Sequence, residues 1–556
     1  MAQEHCGKNL NDLITELGVV NAPGWFKNIM LKFWPKPEQL VTMRQYPHFL
    51  RYGDFSEPGT GKTYPAQTHG ILMAALGNKT LYIMPPRLIG QFFNEMKNVF
   101  RGVEKRLWIE ALNQYTLKAR ETQLNSWAES GKWPDILIMS YEMFRKYNSR
   151  DRKVNFPPAS CKKDENGVIR TKFGDEVSVE PAKTASGTIV KGKMVHRARN
   201  PHHLMLFNAG YHIMFFDEAH TNLCNNQNIA WKTCEYIDKT CRDDAAMYLM
   251  TGTPIPTKIE NCYGIVKLVN PNAYRNKTAF LRRHVIMDTH SPFPVVLGYA
   301  NLPELKRNLY AFGRRVEKRS VTNLDVPMVT VHPVQLAGPH LKLYKTYLRD
   351  RYAVVDDAVL SAESDQQLIQ DAHQLITVPE KFDPKGAAGP IAKSNELRKT
   401  LDELLDSIDP WQNKVLVFAK YTSTVAALAE HLKEFNPAVL NGKTRDGDAE
   451  VAKFQNDPNC RVFVLNWTSG GAGLNLQSNC STVIFYETPT SPKDAEQAMG
   501  RVDRTGQKEL VNLHFMNVKG TYAGRSLRNL VENGLTNNVV IGDVNPLIYE
   551  QIKDKL

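Results

Sequence analysis

The sequence predicts an α/β protein built as two tandem domains, each around a parallel sheet, with a small basic insertion in the first. Three observations carry that prediction. Short apolar runs alternate with helical patterns from about residue 33 to 150, and the alternation resumes at Tyr211 and continues to about 285. A second such stretch begins at Lys414 and runs to about 520. Runs such as Thr80-Leu81-Tyr82-Ile83-Met84 and Ile136-Leu137-Ile138-Met139 are apolar throughout, which marks strands covered on both faces.

In chain order, residues 1–32 read as a short helical lead-in and 33–285 as the first domain. The stretch 151–205 interrupts it. Pro157-Pro158, several glycines and alternating segments such as Val177-Ser178-Val179 and Thr188-Ile189-Val190 suggest a β-hairpin insertion or a loop. Residues 151–200 hold 11 Lys/Arg against 6 Asp/Glu, so the insertion is basic. Residues 286–410 read as a mixed linker with a basic cluster at Arg314, Arg315, Lys318 and Arg319. It closes on an amphipathic helix whose Leu397, Leu401, Leu404, Leu405 and Ile408 share one face, stopped before Pro410. The second domain spans 411–520, and 521–556 form a partly helical tail.

The 556 residues are 42% hydrophobic and 23% charged, an ordinary globular composition. No apolar run approaches the ~20 residues that cross a bilayer, and the N-terminus lacks the apolar core of a secretory signal. A soluble intracellular protein is expected. Its eight cysteines include no Cys-x-x-Cys pair, so reduced thiols are expected rather than a zinc ribbon or redox dithiol. His196, His202 and His203 lack an acidic or cysteine cluster, and no zinc is expected there. With 70 Lys/Arg against 58 Asp/Glu the formal charge is +12, which favours a polyanionic partner.

Residues 56–63, Ser-Glu-Pro-Gly-Thr-Gly-Lys-Thr, fit the phosphate-loop pattern except that Ser56 stands at its first glycine. Gly59 and Gly61 let the backbone of the loop, which includes Glu57, Pro58 and Thr60, curl so that its available N–H groups face an anion. Lys62 can reach the β- and γ-phosphates of ATP, and the Thr63 hydroxyl can ligate Mg²⁺. A helix over about 62–76 would aim its N-terminus at the same anion, with Pro65 tolerated in its first turn. Further on, Tyr211–Phe216 reads as an apolar strand ending in Asp217 and Glu218. Adjacent side chains at a strand end point apart, so Asp217 can hold Mg²⁺ while Glu218 polarises water. The plain alternative for this pair is a helix N-cap.

Asp217-Glu218-Ala219-His220, taken with the phosphate loop, resembles the signature of superfamily 2 helicases and translocases. The other signature segments follow in the family's order over roughly residues 35–520. Thr251-Gly252-Thr253-Pro254 resembles the segment that couples the nucleotide site to the track, and Asn441-Gly442, Arg445 and Phe454 resemble the lead into the second-domain motifs. Ser469-Gly470-Gly471-Ala472-Gly473-Leu474-Asn475-Leu476 resembles motif five, and Gln497–Gln507 resembles motif six. The Gly-Gly-x-Gly-Leu-Asn-Leu and Arg-x-x-Arg-x-Gly-Gln strings, with the pair Arg314-Arg315, are similar to the Swi/Snf-type DNA-dependent ATPases. The chain departs from that branch at His220, which follows Ala219 rather than glycine, and in its 151–205 insertion. Its short termini leave no room for chromatin-reading appendages, so a compact translocase of bacterial or phage type is expected.

The resemblance implies two RecA-like domains with ATP and Mg²⁺ in the cleft between them, moving on nucleic acid, above all duplex DNA. Arg501 and Arg504 are three apart and can share one helix face. The resemblance makes Arg504 the arginine finger and Arg501 a second γ-phosphate contact, adds Gly473 to the nucleotide site, and gives Thr251, Gly252, Thr253 and Gln497 a coupling role. Gln39 is implied as the adenine reader, with Gln45 as its competitor. Track contacts are implied for Pro86 and Arg87, Ser140 and Tyr141, Lys420 and Tyr421, and Thr468 and Ser469. The insertion could extend the grip on DNA, act as a pin between strands, or be a solvated loop. Two other functions stay open at this point: a strand-separating DNA or RNA helicase, and a non-catalytic binding protein on a relic ATPase fold.

Overall fold

The computed structural model describes residues 6–19, 22–112, 116–148, 153–156, 158–171, 176–183, 189–199, 203–288, 295–355, 358–382, 395–408, 414–467, 474, 476–542 and 546–556. Two wholly parallel sheets organise them. The first contains, in chain order, β1 (Arg51–Asp54), β2 (Thr80–Met84), β3 (Ile109–Ala111), β4 (Ile136–Ser140), β5 (Ile213–Asp217), β6 (Ala246–Met250) and β7 (Gly313–Arg314). Their spatial order is β7-β1-β6-β5-β2-β4-β3. The second contains β8 (Met328–Val334), β9 (Lys414–Ala419), β10 (Ala438–Leu440), β11 (Val462–Asn466), β12 (Cys480–Phe485) and β13 (Asn512–Val518), in the order β8-β13-β12-β9-β11-β10.

Unbroken apolar runs become strands here because both faces of each sheet are covered. In β2, Leu81 and Ile83 enter one core while Tyr82 and Met84 enter the other. In β9, Leu416 and Phe418 face one side, and Val415, Val417 and Ala419 the opposite one. The helix Thr63–Ala75 carries Pro65 in its first turn, where no intrahelical donor is lost. The helix Glu396–Ser407 is capped by the Asn395 side chain and buries Leu397, Leu401, Leu404 and Leu405 on one face.

Three segments are placed differently from their sequence reading. The lead-in is part of the first domain: Leu10, Leu13, Ile14 and Phe26 lie in its core, and Met30–Leu31 pairs with Phe100–Arg101. The 286–410 stretch is divided between the domains rather than linking them. Leu305 and Leu309 of the helix Leu302–Tyr310 pack into the first core, β7 joins the first sheet, and β8 opens the second. The tail is two helices: a 20-residue one, Tyr522–Ile541, that spans both units, and Pro546–Asp554, which packs on the second. Leu527, Leu530 and Val531 of the longer helix sit in the second core and its Val540 and Ile541 in the first. Periodicity reveals which face of an element is apolar, not which of two cores receives it.

The described part of 151–205 is antiparallel. Val177–Lys183 pairs with Ile189–Arg199, whose far end pairs with Lys153–Phe156, and Cys161–Lys163 forms a hairpin with Ile169–Thr171.

Candidate active site

The signature segments sit at the carboxyl ends of the strands, where open parallel sheets gather ligands. The phosphate loop follows β1. Gly59 and Gly61 both have φ +88°, a region that favours glycine. A Cβ on Gly61 would lie 2.3 Å from Gln39 Nε2. Gln39 donates from Nε2 to the Gly61 carbonyl at 3.0 Å, and its Oε1 accepts the Lys36 N–H at 2.8 Å. It lines a recess with Gly61 and Lys62 that Gln45 does not reach. The Ser56 hydroxyl accepts the Val316 N–H at 3.1 Å, which gives the departure from the glycine pattern a structural task. Thr60 is buried and donates to the Glu57 carbonyl. The Lys62 ammonium donates to the carbonyls of Ser56 (2.7 Å) and Glu57 (3.0 Å).

Asp217 ends β5, and Glu218 stands in the left-handed region at φ +47°. For a non-glycine residue that conformation costs about 1–3 kcal/mol and persists only where surroundings impose it. Here the Glu218 N–H donates to Asp217 Oδ1, the Glu218 carbonyl accepts Thr221, and the Tyr141 hydroxyl donates to the Asp217 carbonyl at 2.8 Å. The buried His220 ring lies 2.8 Å from Thr251 Oγ1, 3.2 Å from Thr253 Oγ1 and 3.3 Å from Glu218 Oε2. It therefore ties the acidic pair to the segment after β6. Burial, then Lys493 and Lys62, hold the imidazole well below its ordinary range, so it is neutral. Burial, and then Glu218, push the Asp217 carboxyl up to about 7.

From the second sheet comes the helix Pro492–Met499, capped by Ser491. It ends at Gly500, so Arg501 and Arg504 do not share a helix face as their spacing suggests. They sit on the turn beyond it, and both still line the cleft. Arg501 is 6% exposed; burial and then Arg504 lower it to about 10, while Glu218 opposes. The loop meets the phosphate loop directly. A Cβ on Gly59 would lie 3.7 Å from Arg504 Cβ, and Thr505 Oγ1 donates to the Gly59 carbonyl at 3.4 Å.

One cleft of about 280 Å³ thus joins Gly59, Gly61, Lys62 and Thr63 with Asp217 and Glu218 from the first sheet. The second sheet adds Gln497, Arg501 and Arg504, and Gly252 and Thr253 also border it. Cations and glycine N–H groups on one side, carboxylates on another and arginines across the gap suit a polyphosphate with a hard divalent cation.

Of the residues expected to contact a track, Pro86 and Arg87 are exposed at the start of the helix Pro86–Val99. Ser140 and Tyr141 are a correction: each is 3% exposed and committed internally, Ser140 capping the helix Tyr141–Tyr147 and Tyr141 bracing Asp217. Lys420 and Tyr421 are half-buried after β9. Their N–H groups donate to Glu487 at 2.6 and 3.2 Å, and the ammonium lies 5.0 Å from the Tyr421 ring centre. Thr468, Ser469 and Gly473 lie outside the described residues.

Three residues that the sequence reading gave no site role take part in the site. Glu95 lines the cleft one helical turn from Gln91 and two from Leu88, raised by burial against the opposing charges of Arg504 and Lys32. Arg315 donates to the carbonyls of Phe55 and Gly252, at 2.6 and 2.9 Å, joining the strand ends of β1 and β6. Asp503 pairs with Lys318. The sequence signals were the basic pair for Arg315, the Gln497–Gln507 string for Asp503, and only an i, i+4 spacing from Gln91 for Glu95.

Comparison with known proteins adds the family. Residues 39–381 match the family described as "SNF2-related domain", and residues 396–506 match that described as "Helicase conserved C-terminal domain". The chain belongs to the SNF2-related family. Among curated relatives of this SNF2-related chain, Protein CHROMATIN REMODELING 4 of Arabidopsis thaliana is 24% identical over 298 residues, 50% of this chain and 13% of that one. The "Uncharacterized ATP-dependent helicase YqhH" of Bacillus subtilis is 22% identical over 371 residues, 63% of each. The chain therefore spans less than two thirds of the length of these relatives. A solved "Sulfolobus solfataricus SWI2/SNF2 ATPase core in complex with dsDNA" aligns over 94% of this chain and 95% of that one, at 17% identity and a TM-score of 0.34. Among the described residues, no helix is long and apolar enough to cross a membrane.

Proposed function

We propose that the protein hydrolyses ATP to ADP and phosphate and uses the cycle to move along duplex DNA, gripping it through the phosphate backbone. The supporting observation is that Lys62 and Arg504, 442 residues apart in sequence, border the same cleft with Asp217 and Glu218 between them. Lys62 and the loop N–H groups bind the β- and γ-phosphates. Thr63 and Asp217 offer the oxygen ligands that Mg²⁺ prefers, and when bound the ion neutralises phosphate charge. Glu218 orients a water against the γ-phosphorus and takes its proton. The new P–O bond forms as the bond to the bridging oxygen breaks, and ADP leaves with that oxygen. Arg501 and Arg504 stabilise the charge that builds on the γ-phosphoryl oxygens. Gln39 contacts the nucleotide from the recess beside Gly61. His220 carries the state of the acidic pair to Thr251 and Thr253, and Gln497 reports it to the second sheet.

Track contacts come from Pro86 and Arg87 after β2 and from Lys420 and Tyr421 after β9, together with Thr468 and Ser469 as the resemblance implies. A motor indifferent to sequence binds phosphates rather than base edges. The two sheets then grip alternately as the cleft closes and reopens. The deciding measurement is ATP turnover titrated with duplex DNA, single-stranded DNA and RNA at several salt concentrations, with Lys62→Ala as control. Duplex DNA should stimulate turnover most, and Lys62→Ala should abolish it while keeping the wild-type melting temperature. Stimulation by RNA alone would sink the choice of track, and a fully active Lys62→Ala would sink the site.

A further inference from the structure

Lys318 belongs to neither sheet, yet it connects the phosphate loop to the arginine turn. Its N–H donates to Glu57 Oε2 at 2.7 Å, and the Glu57 N–H donates to the Val316 carbonyl at 3.0 Å. Its ammonium crosses to the second domain and donates to the Asp503 carbonyl at 2.7 Å and to Asp503 Oδ2 at 2.5 Å. Arg319 donates to the same carboxylate oxygen at 3.3 Å. Lys318 is 6% exposed and Asp503 2%. An unbroken run of contacts therefore leads from Glu57 through Lys318 to Asp503, whose chain neighbour is Arg504. A Cβ on Gly59 would lie 4.0 Å from Lys318 Cδ and 3.7 Å from Arg504 Cβ, so the lysine stem and the arginine flank the same glycine.

A buried ion pair is weak evidence for stability, because desolvating both charges offsets most of their attraction; its best-attested use is to fix one arrangement among several. The arrangement at stake is where Arg504 points. The turn that carries it lies beyond the end of its helix: the Asp503 N–H still reaches the Met499 carbonyl at 2.9 Å, but the Arg504 N–H bonds instead to the Val502 carbonyl at 3.0 Å, and the guanidinium donates to the Leu474 carbonyl at 3.3 Å. We propose that Lys318 is a positioning residue: by holding Asp503 by both backbone and side chain, it registers Arg504 against the phosphate loop of the opposite domain. The inference rests on the ATPase reading above. An arginine displaced by about 1 Å loses much of its effect on a developing charge, on the order of 100-fold in rate.

The test compares Lys318→Met, Asp503→Asn, Lys318→Arg and Arg504→Ala, with Lys318→Met also made in the Arg504→Ala background. Lys318→Met and Asp503→Asn should each lower kcat about 10- to 100-fold with KM for ATP close to wild type, and each should also lower the melting temperature, because one buried charge loses its partner. Lys318→Arg, which keeps the cation, should recover most of the rate. The double variant should be no slower than Arg504→Ala, because a finger already absent cannot be misplaced. Unchanged kcat in Lys318→Met, or a loss that multiplies that of Arg504→Ala, would overturn the proposal. Amide exchange over residues 500–507 gives a reading independent of turnover. It should quicken in Lys318→Met and Asp503→Asn, and unchanged exchange overturns the proposal even if the chain hydrolyses nothing. A Lys62→Ala variant as active as wild type would instead count against the ATPase reading, leaving exchange to decide on Lys318.

Discussion

Asp217 carries a proton at a pH where an ordinary aspartate has lost it, because its carboxyl is desolvated and lies beside Glu218. Its folded pKa of about 7 lies above the ordinary 3.8, so between those values the folded chain binds a proton that the unfolded chain does not. The stabilisation from this group is complete at low pH and is lost as pH rises through 7. Asparagine cannot ionise. Asp217→Asn should therefore show a flatter melting-temperature profile between about pH 5 and 8, and should melt above wild type at the alkaline end, while turnover disappears. Thermal scans of both proteins in chelator decide it: a wild-type profile as flat as the variant's would mean the carboxyl is not held neutral. Residues such as Asp217, Lys62 and Glu218 were legible because their chemistry is local, each falling at a fixed offset from a glycine or a strand end. Ser56 was legible only as an anomaly, since its partner, Val316, lies 260 residues away. His220 showed the reverse: its departure from the expected Gly-His is visible in sequence, but its contacts with Thr251 and Thr253 require two neighbouring strands to be in register.

Strand ends, as elements, look alike in sequence and do different work. After β4, Ser140 and Tyr141 turn inward; after β2, Pro86 and Arg87 stay exposed. The reason is position in the sheet. β4 lies second from the edge and its following helix packs against the helix Ile229–Thr240, which turns Tyr141 toward the Asp217 carbonyl. Tyr141→Phe removes that hydroxyl from a buried carbonyl and should cost about 1 kcal/mol in urea unfolding. It should leave the salt dependence of DNA binding unchanged, as a phosphate contact would not. A variant with wild-type stability and a reduced salt slope would return Tyr141 to the track. The same reasoning covers the arginine turn: Gly500 ends its helix, and an R-x-x-R spacing carries no record of where a helix stops.

At the scale of the whole molecule, the separation of the two sheets was legible while the chain's crossings between them were not. β7 and β8 are only 14 residues apart in sequence yet sit at the edges of different sheets, and the helix Tyr522–Ile541 is divided between both cores. Such a helix, about 30 Å long, ties the two domains together, and its Asn537 donates to the Ile255 and Thr257 carbonyls just beyond the cleft-lining Thr253. The net charge of +12 is also a property of the whole, and it bears on affinity only where cations reach phosphates. Lys420 discriminates. It sits at the carboxyl end of β9, half-buried over Tyr421, and burial lowers its pKa against the opposing charge of Glu487. If it neutralises one phosphate of the track, Lys420→Ala should weaken duplex binding about equally for every sequence and reduce the slope of log affinity against log salt by about one. Mutating an uninvolved surface lysine such as Lys443, exposed beside β10, should leave the slope alone. Fluorescence anisotropy over a salt series measures both. Equal slopes for wild type and Lys420→Ala would mean that this lysine serves only the packing around Glu487, and the second sheet would have to grip the duplex through other residues.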